Sequence, residues 1–167
     1  MDVTLERGRP EQRATLDNLA QLYVHDFTDF LGPLRLEIGE DGRFNDQMET
    51  EDYWTKPDRS VWFIRADGKL AGFAMLNTKT HSKRPADFNM AQFFVLRPYR
   101  GSGVAARAVI DLLNAHPGQW EVAVLGRNAP ALRFWPRAVK DANIHGLETI
   151  IQDGEPSRTL LRFVVGL

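Results

Sequence analysis

A chain of 167 residues suits one domain, residues 1–167, and is long enough to enclose a hydrophobic core. The net charge of -1 gives no general attraction to nucleic acid, and the absence of cysteine excludes disulfides, thiolate metal sites and a cysteine nucleophile. The N-terminal residues lack a signal-peptide pattern and no segment is apolar enough to span a bilayer, so we expect a cytoplasmic monomer or homodimer that binds neither nucleic acid nor membrane.

The first half of the chain predicts a helix followed by a pair of antiparallel strands. Apolar residues recur at helical spacing after Pro10 and predict one buried helical face: Leu16, Leu19, Ala20, Tyr23 and Phe27. A polar and acidic stretch, residues 37–59, predicts a short helix and a loop. Asp67-Gly68 is typical of a tight hairpin turn, and the apolar runs on either side predict its two strands: residues 61–64 and 70–76.

The second half predicts an alternation of strand and helix. A third strand ends at residues 93–96, an apolar helical stripe runs over 104–112, and residues 122–125 predict a buried strand parallel to the third one. Asn128 is suited to cap a second helix. Two more strands complete the sheet: residues 147–151 and 159–165. The chain is therefore predicted to have an α/β fold with a mixed sheet, in which antiparallel N-terminal strands precede a β-α-β unit.

The connection between the third strand and its helix carries two glycines, Gly101 and Gly103, beside Arg100. Glycines let the backbone approach a ligand, and the free N–H groups and positive end of the following helix suit a phosphate or pyrophosphate. The same pattern also fits a plain strand-to-helix turn. It lacks the lysine of a nucleotide-hydrolase phosphate loop. The dinucleotide-binding fingerprint is excluded by the four residues 97–100 before the first glycine and by the absence of an acid at the end of the next strand.

Two motifs in this half of the chain resemble those of the GNAT superfamily of N-acetyltransferases. The family's acetyl-coenzyme A loop, an arginine or glutamine followed at fixed spacing by small residues, is matched by Arg100, Gly103 and Ala105 after an apolar strand. A second family pattern follows the next strand and is matched at four positions: Asn128, Ala131, Phe134 and Trp135. The motifs occur in the family's order with one helix and one strand between them, and the resemblance is sharp over residues 88–139.

The resemblance implies a GNAT-like fold and transfer of an acetyl group from acetyl-coenzyme A to an amine of a small molecule or peptide, without a metal. It implies that the backbone of Phe94, Val95 and Leu96 pairs with the pantetheine arm, whose two amides an exposed strand edge can satisfy. The residues implied to hold the pyrophosphate are Arg100, Gly101, Ser102, Gly103, Val104 and Ala105. Asn128 and Ala131 are implied to contact the cofactor beside the arm.

This chain carries other residue types at the positions where the family often has its catalytic base and acid. Where many members have a glutamate on the third strand, this chain has Asn89, which cannot take up the proton of the amine. Asp87 lies two residues earlier on the same face, and it is either the base, acting directly or through water, or a solvated residue at the start of the strand. The position of the family's tyrosine acid holds Trp135, whose indole only donates, so it either donates a hydrogen bond to the thioester or packs.

The acceptor and the activity itself stay open at this stage. The acids of residues 37–59, Asp46 among them, either favour a cationic acceptor or form a solvated surface, and we expect the solvated surface. The four histidines are isolated in the sequence and show no metal-ligand spacing. Because Asn89 and Trp135 replace proton-transfer residues, a non-catalytic acyl-coenzyme A binding module is the first alternative, and a ligand-free interaction domain is the second.

Overall fold

A seven-stranded mixed sheet forms the centre of the computed structural model, which describes residues 1–31, 36–44 and 48–166. In chain order the strands are β1 (Val3–Arg7), β2 (Ser60–Ala66), β3 (Lys69–Asn77), β4 (Phe88–Val95), β5 (Gly118–Leu125), β6 (Ile144–Gln152) and β7 (Arg158–Val165). Across the sheet they lie in the order β1-β2-β3-β4-β5-β7-β6. Among these strands β4 and β5 run parallel, and the other neighbouring pairs are antiparallel. The predicted mixed sheet is confirmed.

Four α-helices connect or cover the described strands: α1 (Arg13–Phe27), α2 (Asp52–Thr55), α3 (Val104–Asn114) and α4 (Ala129–Lys140). Helix α3 links β4 to β5 and so completes the predicted β-α-β unit. The short α2 is the helix predicted within residues 37–59. Within the three described ranges, every helix is too short or too polar to cross a membrane.

The hairpin between β2 and β3 turns as its sequence predicts. Asp67 and Gly68 have φ angles of 49° and 76°, the left-handed values that a two-residue turn of this kind requires. Strand β1, by contrast, is not predicted, because five residues with apolar side chains only at Val3 and Leu5 form too short a pattern to separate from a loop. It pairs with β2 at the edge of the sheet, with Leu5 opposite Ile64.

The core lies on both faces of the sheet. On one face α3 and α4 pack against the central strands, where Val109 and Trp120 are fully shielded from solvent. On the other face α1 packs through Leu16 against Phe63 and Phe73. Burial of each such side chain contributes roughly 1.5–3 kcal/mol to the free energy of unfolding. Packing on both faces therefore fixes the positions of β4 and β5, the two central parallel strands.

Candidate active site

Strands β4 and β5 pair along only part of their length. The parallel register joins residues 88–90 to residues 120–122. Opposite β3, strand β4 carries one extra residue, Ala91, between Met90 and Gln92, where the register shifts. A bulge of this kind bends a strand and disrupts its ladder. Beyond it the two strands part and leave a cleft of about 610 Å³ that both of them line.

The free edge of β4 offers backbone groups to this cleft. The N–H of Leu96 donates to a carbonyl of β3, that of Ala71, at 2.8 Å. Because alternate residues of an antiparallel strand direct their polar groups to the same side, Phe94 and Leu96 face β3, whereas Phe93 and Val95 face the cleft. Of the three residues whose backbone was predicted to bind pantetheine, Val95 is the one whose groups are directed there.

The connection from β4 to α3 begins with a short 3-10 turn, Arg97–Tyr99, and continues through the two glycines. Gly101 and Gly103 have φ angles of 73° and 86°. A residue with a side chain adopts this left-handed region only at a cost of about 1–2 kcal/mol. Gly103 directly precedes Val104, the first residue of α3, so the unpaired N–H groups of the first helical turn follow the loop. Ala105 of that turn lines the cleft, and the geometry suits an anionic group.

Asp26, near the C-terminal end of α1, ties that helix to the glycine-containing loop. Its carboxylate oxygens accept hydrogen bonds from Arg97 Nη2 at 2.7 Å and from Arg100 Nη2 at 2.6 Å. Arg100 Nε also donates to the carbonyl of Val95 at 2.8 Å. Burial raises the pKa of Asp26, but the hydrogen bonds from Arg100 and Arg97 outweigh it and hold the pKa below its usual value. Asp26 therefore holds both guanidinium groups of this loop beside the start of α3.

Helix α4 contributes another wall of the cleft. Asn128 Oδ1 accepts a hydrogen bond from the N–H of Ala131 at 3.1 Å, which confirms the predicted helix cap. Trp135 is buried, and its ring meets that of Phe93 edge-on, with 5.3 Å between the ring centroids. Asn128, Ala131 and Trp135 all line the cleft. The second sequence motif therefore lies beside the parted strands, and the ring contacts of Trp135 are packing contacts.

The two other predicted catalytic residues, Asp87 and Asn89, are not among those that line the cleft. Asp87 is exposed at the start of β4, where its Oδ2 accepts a hydrogen bond from the N–H of Gln119 at 2.8 Å. Asn89 is 3% exposed, its Nδ2 donates to Asn77 Oδ1 at 2.8 Å, and its own Oδ1 has no partner. Both residues precede the point at which β4 and β5 part, and Trp135 lies beyond it. The structure therefore does not bring the three predicted catalytic residues together.

Two residues for which the sequence offered no catalytic role line the cleft as well: His81 and Arg158. His81 lies in the connection between β3 and β4, where its backbone N–H donates to Glu121 Oε1 at 2.6 Å. Arg158 begins β7 and lies opposite Leu125 of β5. Partial burial lowers the pKa of His81, the charge of Arg158 lowers it further, and the Glu121 carboxylate offsets part of this effect. The lowered pKa favours the neutral imidazole, which is the form able to accept a proton.

The acids of residues 37–59 lie away from the cleft wherever the structure describes them. Asp52 Oδ2, for example, forms an ion pair with Lys56 Nζ at 2.9 Å on the surface of α2. Asp46 lies outside the described residues. The described part of this stretch has the character of a solvated, ion-paired surface, which is the alternative that the sequence favoured over a cationic-acceptor site.

A mixed sheet whose parallel central strands part beside a glycine loop and a helix start is the arrangement of an acyl-coenzyme A-dependent N-acyltransferase fold. The sequence pattern of the acetyltransferase (GNAT) family matches residues 16–139. The chain belongs to this family, as its two motifs predicted.

Solved structures share the fold over nearly the whole chain. An acetyltransferase from Thermus thermophilus superimposes with a TM-score of 0.66 at 17% identity, covering 97% of this chain and 96% of that one. A spermidine N-acetyltransferase from Vibrio cholerae, in complex with CoA and spermine, gives 0.59 at 11% identity with 98% and 94% covered. A putative streptothricin acetyltransferase from Bacillus anthracis, in complex with acetyl-coenzyme A, gives 0.54 at 12% identity with 100% and 99% covered. No curated protein matches the chain significantly. At these identities the likeness establishes the fold, and the predicted fold class is confirmed.

Proposed function

We propose that this protein transfers the acetyl group of acetyl-coenzyme A to an amine of a small molecule or peptide. The observation that carries the proposal is the gap between β4 and β5, which has a free strand edge on one wall and the glycine loop nearby. A pantetheine arm with two amides suits an unpaired strand edge, and a pyrophosphate suits the start of a helix. Membership of the acetyltransferase family supports the same reaction.

The pantetheine arm is assigned to the free edge of β4. The backbone of Phe93 and the N–H of Val95 are the groups available to its amides, because Arg100 already binds the carbonyl of Val95. The resemblance had also implied the backbone of Phe94 and Leu96 for this role, and we do not assign them to it because their backbone groups face β3. Side chains of α4 and its cap, above all Trp135 and Asn128, flank the arm on the opposite wall.

The pyrophosphate is assigned to the loop and first turn that run over residues 101–105. Its charge is matched by the positive end of the α3 dipole and by the guanidinium groups of Arg97 and Arg100, which Asp26 holds in place. The left-handed glycines allow the backbone of the loop to lie against the phosphates without a Cβ atom in between.

Acetyl-coenzyme A supplies the acetyl group as a thioester, and the task of the chain is to orient the amine and to move one proton. We assign the role of base to His81, which lines the cleft and whose lowered pKa favours the neutral imidazole. As the C–N bond forms, the N–H proton of the amine passes to His81 directly or through a water. The C–S bond breaks with its electron pair on sulfur, and the imidazolium returns the proton to give the free thiol and the acetamide.

A non-catalytic acyl-coenzyme A binding module is the second candidate function. It is favoured by the replacement of the family's base and acid positions by Asn89 and Trp135, and by the burial of Asn89 against Asn77. The position of His81 in the cleft favours the enzyme instead. The two candidates differ in whether an amine releases coenzyme A thiol from the bound acetyl-coenzyme A.

A matched pair of glycine variants tests the cofactor site. Gly103→Glu adds a carboxylate at the assigned pyrophosphate position, whereas Gly68→Glu adds one at the β2–β3 hairpin. The φ angles are 86° and 76°, and both positions have open space for a side chain, so the two substitutions carry comparable backbone strain. In calorimetry only Gly103→Glu is expected to weaken acetyl-coenzyme A binding, by roughly 10-fold or more. Equal affinities in the two variants would contradict the assignment, and thiol release with an amine panel then separates the enzyme from the binder.

A further inference from the structure

The described cleft is lined by three arginines, and one of them differs from the others. Arg97 and Arg100 both bind Asp26, at the end of the cleft next to α3. Arg158 is half-buried, and it takes part in none of the ion pairs and hydrogen bonds that side chains form within the described ranges. Arg158 is therefore the arginine of the described cleft that is left available to an anionic ligand.

The sheet fixes the position of Arg158. It is the first residue of β7 and lies between two paired strands, with Leu125 of β5 opposite on one side and Gln152 of β6 on the other. Leu125 lines the cleft together with Arg158. The backbone of Arg158 is therefore held between two paired strands and not by a loop.

His81 lies close enough to Arg158 to respond to its charge. The two residues line one cleft, and the charge of Arg158 is one of the two causes that lower the pKa of the imidazole. A proton acceptor and an unpaired cation thus lie near each other on the side of the cleft formed by the β3–β4 connection and β7.

The described acids of the cleft lie at the opposite end. Asp26 and Asp29 are the carboxylates among the described lining residues. Asp26 raises the pKa of Arg97 through its hydrogen bond, and the charge of Asp29 adds to this. Asp26 therefore acts on both loop arginines and Asp29 acts on Arg97. A cationic acceptor such as a polyamine would meet the positive charge of Arg158 beside His81, where the carboxylate that acts on the imidazole, Glu121, is already paired with Arg162.

We propose that the acceptor is an amine that also carries a carboxylate, an α-amino acid, and that Arg158 binds this carboxylate while His81 faces the amine. The inference rests on the proposed acetyl transfer and names its acceptor class. One carbon joins the two groups of an α-amino acid, which matches a base and a cation at neighbouring places in one cleft.

The acceptor class is tested with pairs of amines that differ only in the carboxylate. L-Amino acids are compared with their primary amides, with L-phenylalanine and L-phenylalaninamide as the leading pair and spermidine as the polyamine probe. The amide has the less basic amine and hence more neutral nucleophile, so intrinsic reactivity favours the amide. In wild type we expect kcat/KM for the acid to exceed that for the amide by roughly 10-fold or more, the loss typical of a charged hydrogen bond.

Variants of Arg158 connect this preference to the residue. Arg158→Gln is expected to lower the acid-to-amide ratio to one or below, mainly through KM, and Arg158→Lys is expected to keep part of the preference for the acid. Arg127→Gln is the matched control, because Arg127 pairs with Glu155 of the neighbouring β6–β7 connection at 3.5 Å and does not line the cleft. Unchanged acetyl-coenzyme A affinity in calorimetry shows that each variant is folded.

A binding experiment separates failure of this inference from failure of the proposed reaction. N-Acetyl-L-phenylalanine is titrated into the coenzyme A complex, and Arg158→Gln is expected to weaken its binding roughly 10- to 100-fold. Arg158-dependent binding without turnover of any amine would overturn the proposed reaction and support the ligand class. A wild-type preference for amides or spermidine, a ratio unaffected by Arg158→Gln, or no binding or turnover of any amino acid would overturn the inference.

Discussion

Glu121 and Arg162 form an ion pair, with 2.7 Å between Oε2 and Nη1 and side-chain exposures of 0% and 4%. Glu121 Oε1 also accepts the backbone N–H of His81 at 2.6 Å, and Arg162 donates to the carbonyl of Pro85 at 2.7 Å. Ser82 bonds to both charged groups through its hydroxyl. The buried pair therefore anchors the whole β3–β4 connection to β5 and β7, and it holds His81 at the cleft.

Glu121→Gln is expected to destabilise the protein strongly, because it leaves the guanidinium of Arg162 buried without a counter-charge. The expected loss in the free energy of unfolding is about 3–5 kcal/mol, measured by urea unfolding. Glu148→Gln is the control, since it breaks an exposed ion pair with Arg84 at 2.9 Å. An exposed pair contributes about 0–1 kcal/mol. Equal losses in the two variants would mean that the buried pair does not anchor the connection.

The same variant should change the stability of the protein in acid. Burial raises the pKa of Glu121, but hydrogen bonds from Ser82, Arg162 and the backbone N–H groups hold the pKa below its usual value. A carboxyl with a lowered folded pKa stabilises the fold above its unfolded pKa, about 4.3, and loses that contribution as pH falls through the folded value. Below about pH 4.3 the wild type should therefore lose stability more steeply than Glu121→Gln.

Removal of the imidazole at position 81 tests the assigned base. His81→Gln is expected to lower kcat by roughly 10²-fold or more while acetyl-coenzyme A affinity stays unchanged. In wild type the rate should fall as acid protonates His81 at a pH below its usual pKa of about 6.5, and this limb should be absent in the variant. His145→Gln serves as the control, because His145 is exposed on β6 and does not line the cleft. Full activity of His81→Gln would assign the proton transfer elsewhere.

Asp87→Asn is expected to leave turnover unchanged. The amide oxygen can still accept the N–H of Gln119, and a surface substitution of this kind alters the free energy of unfolding by only about 0.5 kcal/mol. Steady-state kinetics from pH 6 to 9 together with urea unfolding measure both quantities. A loss of turnover of roughly 10²-fold with intact acetyl-coenzyme A binding would make Asp87 the base in place of His81.

Trp135 is expected to act through packing. Trp135→Tyr and Trp135→Phe should each reduce the free energy of unfolding by roughly 1–3 kcal/mol, because a smaller ring leaves space beside Phe93. Turnover of the tyrosine variant should at least equal that of wild type, since a phenol is able to protonate a thiolate and an indole is not. Loss of thiol release in both variants, with folding and acetyl-coenzyme A binding intact, would instead give Trp135 a direct catalytic role.

Features of the fold set by neighbouring residues are the ones that the sequence predicts well. The Asp67-Gly68 turn, the Asn128 cap and the glycine loop depend on contacts within a few positions, so their residue types alone indicate them. Strand β1 could not be predicted from its own sequence because its stability comes from pairing with β2, which lies far along the chain.

For the same reason, the cofactor side of the cleft is easier to predict from the sequence than the acceptor side. Arg100 and Asn128 belong to motifs with fixed local spacing, and both are found at the cleft. His81 reaches the cleft through a bond to Glu121, and Arg158 through the register of β7 with β5. Such positions follow from long-range pairing, which leaves no periodic trace in the sequence. Asp87 is the opposite case. Its two-residue spacing from Asn89 placed both residues on one face of β4, but this local pattern did not show where β4 and β5 part.

Mass spectrometry of the acceptor detects the proposed acetyl transfer directly. The wild type, Gly103→Glu and Gly68→Glu are each incubated with acetyl-coenzyme A labelled with ¹³C in the acetyl group and with the panel of L-amino acids, amides and spermidine. With wild type and Gly68→Glu we expect an amine to gain one labelled acetyl group for each thiol released. With Gly103→Glu we expect a far lower yield. Binding of acetyl-coenzyme A by the wild type without transfer of the label to any amine would contradict the claim that this protein is an amine acetyltransferase.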